Sequence, residues 1–341
     1  MNKVGIITLY GMNNYGNRLQ NYAVNALLRN DFITINYIKE KITLNIAMLV
    51  SHAKRCNFGE IKRYIIFMLF DCSSKKRYMR GIKYKTTDIS FILCGSDQIW
   101  YPCSSPDYFA AFVEKNKRIS YAASFGVAEI PSVVRNEYAK YLSEMKAISV
   151  REETGAKIVK ELTGRDVPVL IDPTLMLDKE DWQKVSKKPK YKIGDKYILT
   201  YFLGEISEKR NSYIENIAKN NGLQIIRLEA SNPNKYWYGT GPAEFIWLIE
   251  HCSLMCTDSF HGSVFSVLMD VPFIVFERED KLKSMSSRID TLLSILKLED
   301  RRFDNQNGEE IFKKEYAHIP EILKTERDKA IHFLKNAMEL E

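Results

Sequence analysis

The chain has no C-x-x-C pair, no run of apolar residues long enough to cross a membrane, no low-complexity tract and no short internal repeat. Its six cysteines, at 56, 72, 94, 103, 252 and 256, lack zinc-ligand spacing and are too sparse for a disulfide framework. The first residues, MNKVGIITLYGMNNYG, turn polar too soon for a signal peptide. No stretch reaches the roughly 20 apolar residues that a bilayer demands. These absences predict a protein of a reducing cytoplasm. A large excess of one charge sign is also lacking: the formal net charge of +7 over 341 residues is diffuse. That balance suits anionic small molecules or a membrane surface and argues against nucleic acid as a partner.

What is present is an alternation of strand and helix patterns, in a chain long enough for two α/β domains. Val4–Leu9 reads as a buried parallel strand. A Gly- and Asn-rich turn follows over 10–17, then a helix with Leu19, Tyr22, Ala23, Ala26 and Leu27 on one face, then a strand at Ile33–Ile38. Further strands are expected at Phe91–Cys94, Ile119–Ala123, Ala147–Val150 and Val167–Ile171, with helices at Val133–Met145 and Gly155–Leu162, the latter closed by Gly164. The lysine-rich stretch 184–196 reads as a linker between residues 1–183 and a second α/β domain, 197–320. A helical tail occupies 321–341.

Residues 41–85 break the alternation. Ile61, Tyr64, Ile65, Met68 and Leu69 form an apolar stripe, near Lys54, Arg55, Lys62 and Arg63 and ahead of Lys75, Lys76, Arg77, Arg80, Lys83 and Lys85. Such a segment suits peripheral contact with an anionic membrane or a helical excursion packed on its own domain.

In a parallel sheet, ligands meet the carboxyl ends of the strands. The polar residues of this chain gather at those positions. Asn14, Gly16 and Asn17 follow the first strand; Gly95, Ser96, Asp97 and Gln98 follow Phe91–Cys94; Ser124 follows Ile119–Ala123; Arg151 follows Ala147–Val150. Asp172 reads best as a turn former before Pro173, whereas Trp100 and Tyr101 suit either a sugar face or the core. The densest segment is 257–263, TDSFHGS, between a strand at Ser253–Cys256 and a helix. It sets His261, the hydroxyls of Ser259 and Ser263 and the N–H groups of Gly262 and Ser263 at a helix N-terminus, where anions are favoured. A histidine there can donate a proton near neutral pH, or it can be a hydrogen-bonded residue behind a capped helix; both readings stand at this point. Arg288 opens a later helix and is a further anion candidate.

ILCGSDQIW at 92–100, SVREE at 149–153, VLIDPTLML at 169–177 and TDSFHGSVF at 257–265 resemble, in this order, motifs of the polysaccharide pyruvyl transferase family. The Asn-Gly opening at 6–23 fits as well. The resemblance implies two Rossmann-like domains facing a cleft, the GT-B type, with the acceptor on the first and the donor on the second. It implies transfer of pyruvate from phosphoenolpyruvate to a sugar of a bacterial surface polysaccharide or its lipid-linked precursor, without metal or organic cofactor. His261 would then be the acid or phosphate ligand, Arg151 would meet the donor's charge, and Asp97 would face acceptor hydroxyls. One departure stands out: some members carry an arginine two residues before the histidine, where this chain has Ser259; Arg278 and Arg288 are the candidates to substitute for it. A nucleotide-sugar glycosyltransferase and a non-catalytic glycan-binding protein are the alternative functions.

Overall fold

The computed structural model of the protein describes residues 2–9, 14–38, 58–73, 78–80, 88–102, 104–278, 287–305 and 310–340. By its internal contacts the chain divides into two units. The first is Met1–Met48, Asp71–Leu177 and Glu321–Glu341; the second is Leu49–Phe70 and Asp178–Pro320.

The first unit is built on a five-stranded parallel sheet: β1 (Asn2–Ile7), β2 (Phe32–Ile38), β3 (Tyr78–Arg80), β4 (Phe91–Gly95) and β5 (Arg118–Tyr121), in the order β3-β2-β1-β4-β5. This order reverses direction between β1 and β4, and in doubly wound sheets that switch point is where loops diverge and leave room for a ligand. Continuous apolar runs identify the central strands because both of their faces are covered; Val4, Ile6, Ile92 and Leu93 are fully buried. The Tyr15–Leu28 helix starts at Asn14, whose side chain accepts from Asn17 N at 3.3 Å. The Glu153–Thr163 helix ends, as its sequence indicates, at Gly164 in the left-handed conformation.

The expected strands at 147–150 and 167–171 reduce to isolated bridges, Ile119↔Ala147, Ala123↔Val150 and Val150↔Val169. Residues 147–150 run beside β5 and residues 168–170 beside Val150, but each pairs too briefly for a ladder. The helical tail is a structural part of the first unit. Ala330, Leu334, Ala337 and Met338 of the Ile319–Met338 helix are buried against Val4, Ile6 and Leu93. Arg327 also donates to the carbonyls of Leu175 and Leu177 at 2.7 and 3.1 Å.

The second unit carries a four-stranded parallel sheet, β6 (Tyr197–Tyr201), β7 (Gln224–Arg227), β8 (Leu254–Thr257) and β9 (Phe273–Val275), ordered β7-β6-β8-β9. It begins earlier than the lysine-rich stretch suggests. Trp182 is buried edge-to-face on Phe265, and Tyr191 hydrogen-bonds Thr240 Oγ1 at 2.7 Å. Residues 184–196 are thus a polar skin packed on this unit, not a spacer.

The segment is helical as expected, over Phe58–Ser73. Up to Phe70 it groups with the second unit and not with the first, and the expected apolar stripe is divided between buried and exposed sides. Arg63, Tyr64, Phe67 and Phe70 are buried, whereas Ile65, Met68 and Leu69 are exposed. Periodicity groups residues on a face without saying which face turns inward. Lys54, Arg55, Lys75, Lys76, Arg77, Lys83, Lys85 and the turn residues 10–13 lie outside the described residues. Among the described residues, no helix is long and apolar enough to cross a membrane.

Candidate active site

In the first unit the strand ends close on a buried ionic cluster. Arg151 Nη1 donates to Asp172 Oδ2 at 2.7 Å and to Ser96 Oγ at 3.3 Å, and its Nη2 reaches Asp97 Oδ1 at 3.2 Å. Ser96 Oγ also donates to Asp172. Burial works against the charge of Arg151, but Asp172, Asp97 and Glu152 outweigh it and push the guanidinium pKa up. Asp172 does serve as the expected turn former, since its Oδ1 accepts from Thr174 N at 3.0 Å and Thr174 Oγ1 at 2.6 Å. Its second role, as the partner of Arg151, leaves no mark in the local sequence.

Asp97 is held in the left-handed region, φ 62°. This conformation costs a non-glycine residue free energy and is concentrated at functional sites. The surroundings enforce it: Asp97 O accepts from Ser124 N at 3.0 Å, and Oδ1 accepts from Gln98 N at 2.9 Å. Glu152, which sequence patterns do not single out, fixes the neighbouring turn by accepting from Ser124 Oγ and Phe125 N, both at 2.9 Å. Gly126, at φ 65°, lies against the Gln98 side chain, where a Cβ would collide with the amide. Trp100 belongs to the core, stacked on Phe109 at 5.4 Å. Ser96, Asp97, Ser124 and Arg151 are therefore brought together, with Gln98 beside them. Asn14 and Asn17 form the separate cap that opens the first helix, and Gly95 ends β4, where an added Cβ would meet Thr8 and Val24 only at ordinary contact distance.

In the second unit, β8 ends at Thr257 and the Phe260–Leu268 helix starts shortly after it. Ser259 is its N-cap, accepting from Gly262 N at 3.3 Å through Oγ and from Ser263 N at 3.1 Å through its carbonyl. The N–H groups of Gly262 and Ser263, expected to serve an anion, are thus taken up by Ser259, which caps the helix itself. Ser263 Oγ likewise donates back to Ser259 O at 3.2 Å. Gly262 has no room for a Cβ, which would come within 2.5 Å of Thr257 Oγ1. His261 is in the first turn, buried edge-to-face on Phe260 at 5.2 Å.

Beside this turn lies a clamp that the sequence patterns do not show. Asp258 accepts from Leu203 N and Gly204 N, each at 2.8 Å, and its Oδ2 lies 3.5 Å from Arg278 Nε. Three strand ends meet here. Leu203 and Gly204 follow β6, Asp258 follows β8, and Arg278 follows β9, whose register sets Val275 opposite Thr257. Burial pushes the Asp258 carboxyl above its usual range; Arg278 and the two amides oppose the shift. Arg288 is buried in the first turn of the Ser287–Leu296 helix.

A cavity of about 620 Å³ opens elsewhere in this unit, lined by Glu205, Glu208, Glu215 and Glu229 with Arg227. Four carboxylates against one guanidinium make it unsuited to an anionic donor. Among the described residues no group of His, Cys, Asp and Glu is arranged to hold a metal ion.

The family model described as polysaccharide pyruvyl transferase matches residues 14–280, which include both clusters. The chain belongs to the polysaccharide pyruvyl transferase family. No curated protein matches it. Among solved structures, this pyruvyl transferase family member resembles a UDP-bound MnaA of S. aureus, at 11% identity and TM-score 0.51, covering 100% of this chain and 98% of that one. It also resembles a putative UDP-N-acetylglucosamine 2-epimerase of Listeria monocytogenes, at 12% identity and TM-score 0.50, covering 96% and 90%. At such identities the likeness shows the fold alone: two Rossmann-like α/β units of the GT-B type.

Proposed function

We propose that this protein moves the pyruvyl group of phosphoenolpyruvate onto a sugar of a bacterial surface polysaccharide or its lipid-linked precursor, forming a cyclic ketal and releasing phosphate. The observation that carries the reading is His261 in the first turn of the helix after β8, within a family match spanning residues 14–280.

The chemistry follows from the residues. A proton passes from His261 to the methylene carbon of phosphoenolpyruvate and makes C2 electrophilic. One sugar hydroxyl adds to C2 and loses its proton. A second hydroxyl then attacks the same carbon and loses its proton; the bond from C2 to the phosphate oxygen breaks, and phosphate leaves. A general acid, a base for the hydroxyls and cations for carboxylate and phosphate are required.

Charge balance divides these tasks. The first unit's cluster holds Asp97 and Asp172 against the single cation Arg151, which favours neutral hydroxyls over an anion. Asp97 is assigned to the acceptor hydroxyls, and Arg151 becomes a positioning residue that holds it. Ser96, Gln98 and Ser124 line the same strand ends. The donor is assigned to the second unit's turn. There Arg278, steered by Asp258, takes the place of the arginine that Ser259 replaces, and the helix dipole adds a favourable field. Asn14, Gly16, Asn17 and Arg288 remain candidates for outer contacts with substrate.

Calorimetry with phosphoenolpyruvate, followed by phosphate release with a glycan acceptor panel, tests the reading. Wild type is expected to bind the donor. His261→Ala should retain binding within a few-fold but slow phosphate release by about 10²–10⁴, the usual contribution of a general acid. Binding of a UDP-sugar without phosphoenolpyruvate would overturn the pyruvyl donor in favour of a glycosyltransferase. Glycan binding alone would indicate a non-catalytic protein.

A further inference from the structure

One hydroxyl in the second unit meets three separate segments. Thr257 is the last residue of β8 and is fully buried, flanked by Tyr201 of β6 and Val275 of β9 in the sheet register. Its Oγ1 donates to Tyr201 O at 2.6 Å and accepts from Ser259 N at 3.0 Å. The first turn of the Phe260–Leu268 helix approaches the sheet at the same place. A Cβ on Gly262 would stand 2.5 Å from Thr257 Oγ1 and 3.1 Å from Met255 Cε. Met255 and Thr257 are two residues apart and so face the same side of β8.

Each contact has its own consequence. The bond to Tyr201 O joins the ends of β6 and β8 at the last pair of their ladder. The bond from Ser259 N holds the residue whose Oγ caps the helix. The contact with Gly262 sets how deeply the helix sits on the sheet. His261 lies between Ser259 and Gly262, so both of its flanks are referred to one oxygen. Asp258, next in the chain, reaches back to Leu203 and Gly204 beyond the end of β6, whereas Thr257 ties sheet to helix.

We propose that Thr257 is a positioning residue, whose hydroxyl holds His261 in the pose from which it protonates the donor. The nature of that step rests on the pyruvyl-transfer reading; the placement of the turn rests on the hydrogen bonds alone. A general acid acts only within hydrogen-bond reach of the atom it protonates, and a misplacement of about 1 Å can cost about 10²-fold. Two substitutions separate the parts of the side chain. Valine keeps the shape but strips Tyr201 O and Ser259 N of the hydroxyl. Serine keeps the hydroxyl and drops the methyl.

The test compares Thr257→Val and Thr257→Ser with wild type in the full chain. In Thr257→Val, kcat for phosphate release should fall about 10²-fold, with phosphoenolpyruvate binding by calorimetry kept within about threefold. Thr257→Ser should return kcat to within about fivefold of wild type. Ile214→Val, a core truncation in the Glu208–Asn221 helix, controls for lost stability and should leave kcat unchanged. Amide hydrogen exchange supplies a readout that needs no donor. Residues 258–263 should exchange about tenfold faster in Thr257→Val, the scale of one buried hydrogen bond, with the Glu208–Asn221 helix at its wild-type rate. Exchange that stays unchanged in 258–263, or rises equally across the unit, overturns the proposal. So does a local rise with kcat intact, an equal loss of kcat in Ile214→Val, or no recovery in Thr257→Ser. If wild type releases no phosphate from phosphoenolpyruvate but exchange responds locally, the pyruvyl reading falls and Thr257 still holds the turn.

Discussion

Arginine meets aspartate at the strand ends of both units, but to different effect. In the first unit Arg151 is shared by two carboxylates, is almost wholly shielded from water and is locked from both Nη atoms. In the second, Arg278 faces Asp258 through Nε and keeps 17% of its side chain exposed. The same pair of residue types thus makes a buried, net-negative cluster in one place and a partly exposed pair at the ends of β8 and β9 in the other. The balance of charge and exposure, more than residue identity, separates a framework arginine from one suited to a ligand.

The comparison is broken most forcefully by exchanging each arginine for methionine. Arg151→Met leaves two carboxylates buried without their cation and should cost about 3–5 kcal/mol of stability, read by denaturant unfolding. Arg278→Met should cost only about 1–2 kcal/mol, because Asp258 keeps its two backbone amides. It should nevertheless weaken phosphoenolpyruvate binding, read by calorimetry. Equal stability losses would erase the distinction.

A smaller effect sharpens it. Asp97→Asn keeps the side-chain shape, tolerates the left-handed backbone and lowers the excess of negative charge around Arg151. Its stability should stay within about 1 kcal/mol of wild type, while acceptor-dependent phosphate release falls by about 10²-fold or more. Full activity in Asp97→Asn would remove this carboxylate from the chemistry.

How far the sequence leads depends on the range of the interaction. Central strands such as β1, β4 and β8 are legible because burial on both faces demands uninterrupted apolar residues. His261 and its cap are legible because they depend on neighbours within a few positions. The three-residue strand Tyr78–Arg80 is too short to show a period, and it lies in a basic stretch. Asp172 as the partner of Arg151, and Arg278 as the partner of Asp258, join residues far apart in the chain through sheet register alone. Arg63 misleads for a related reason: a basic residue in a basic segment looks solvated until Trp237 and Thr240 are folded around it.

The smallest expected effect concerns pH. Burial raises the Asp258 pKa above its ordinary 3.8, so the folded state holds this proton more tightly than the unfolded chain does. The resulting stabilisation is complete below 3.8 and is lost as pH climbs through the raised value. Relative to Asp258→Asn, wild type should lose ground across that window in thermal melts. A flat difference would mean that Arg278 and the amides fully offset burial.

The docking of the Ile319–Met338 helix on Val4, Ile6 and Leu93 bears on the order of folding. The first unit's sheet is encoded early, yet part of its core cover is encoded after the whole of β6–β9. During synthesis the second unit's sheet can therefore close while the first still lacks one of its walls. Such a chain carries a transiently exposed apolar surface until residues 319–338 emerge, and chaperone engagement should concentrate in that interval.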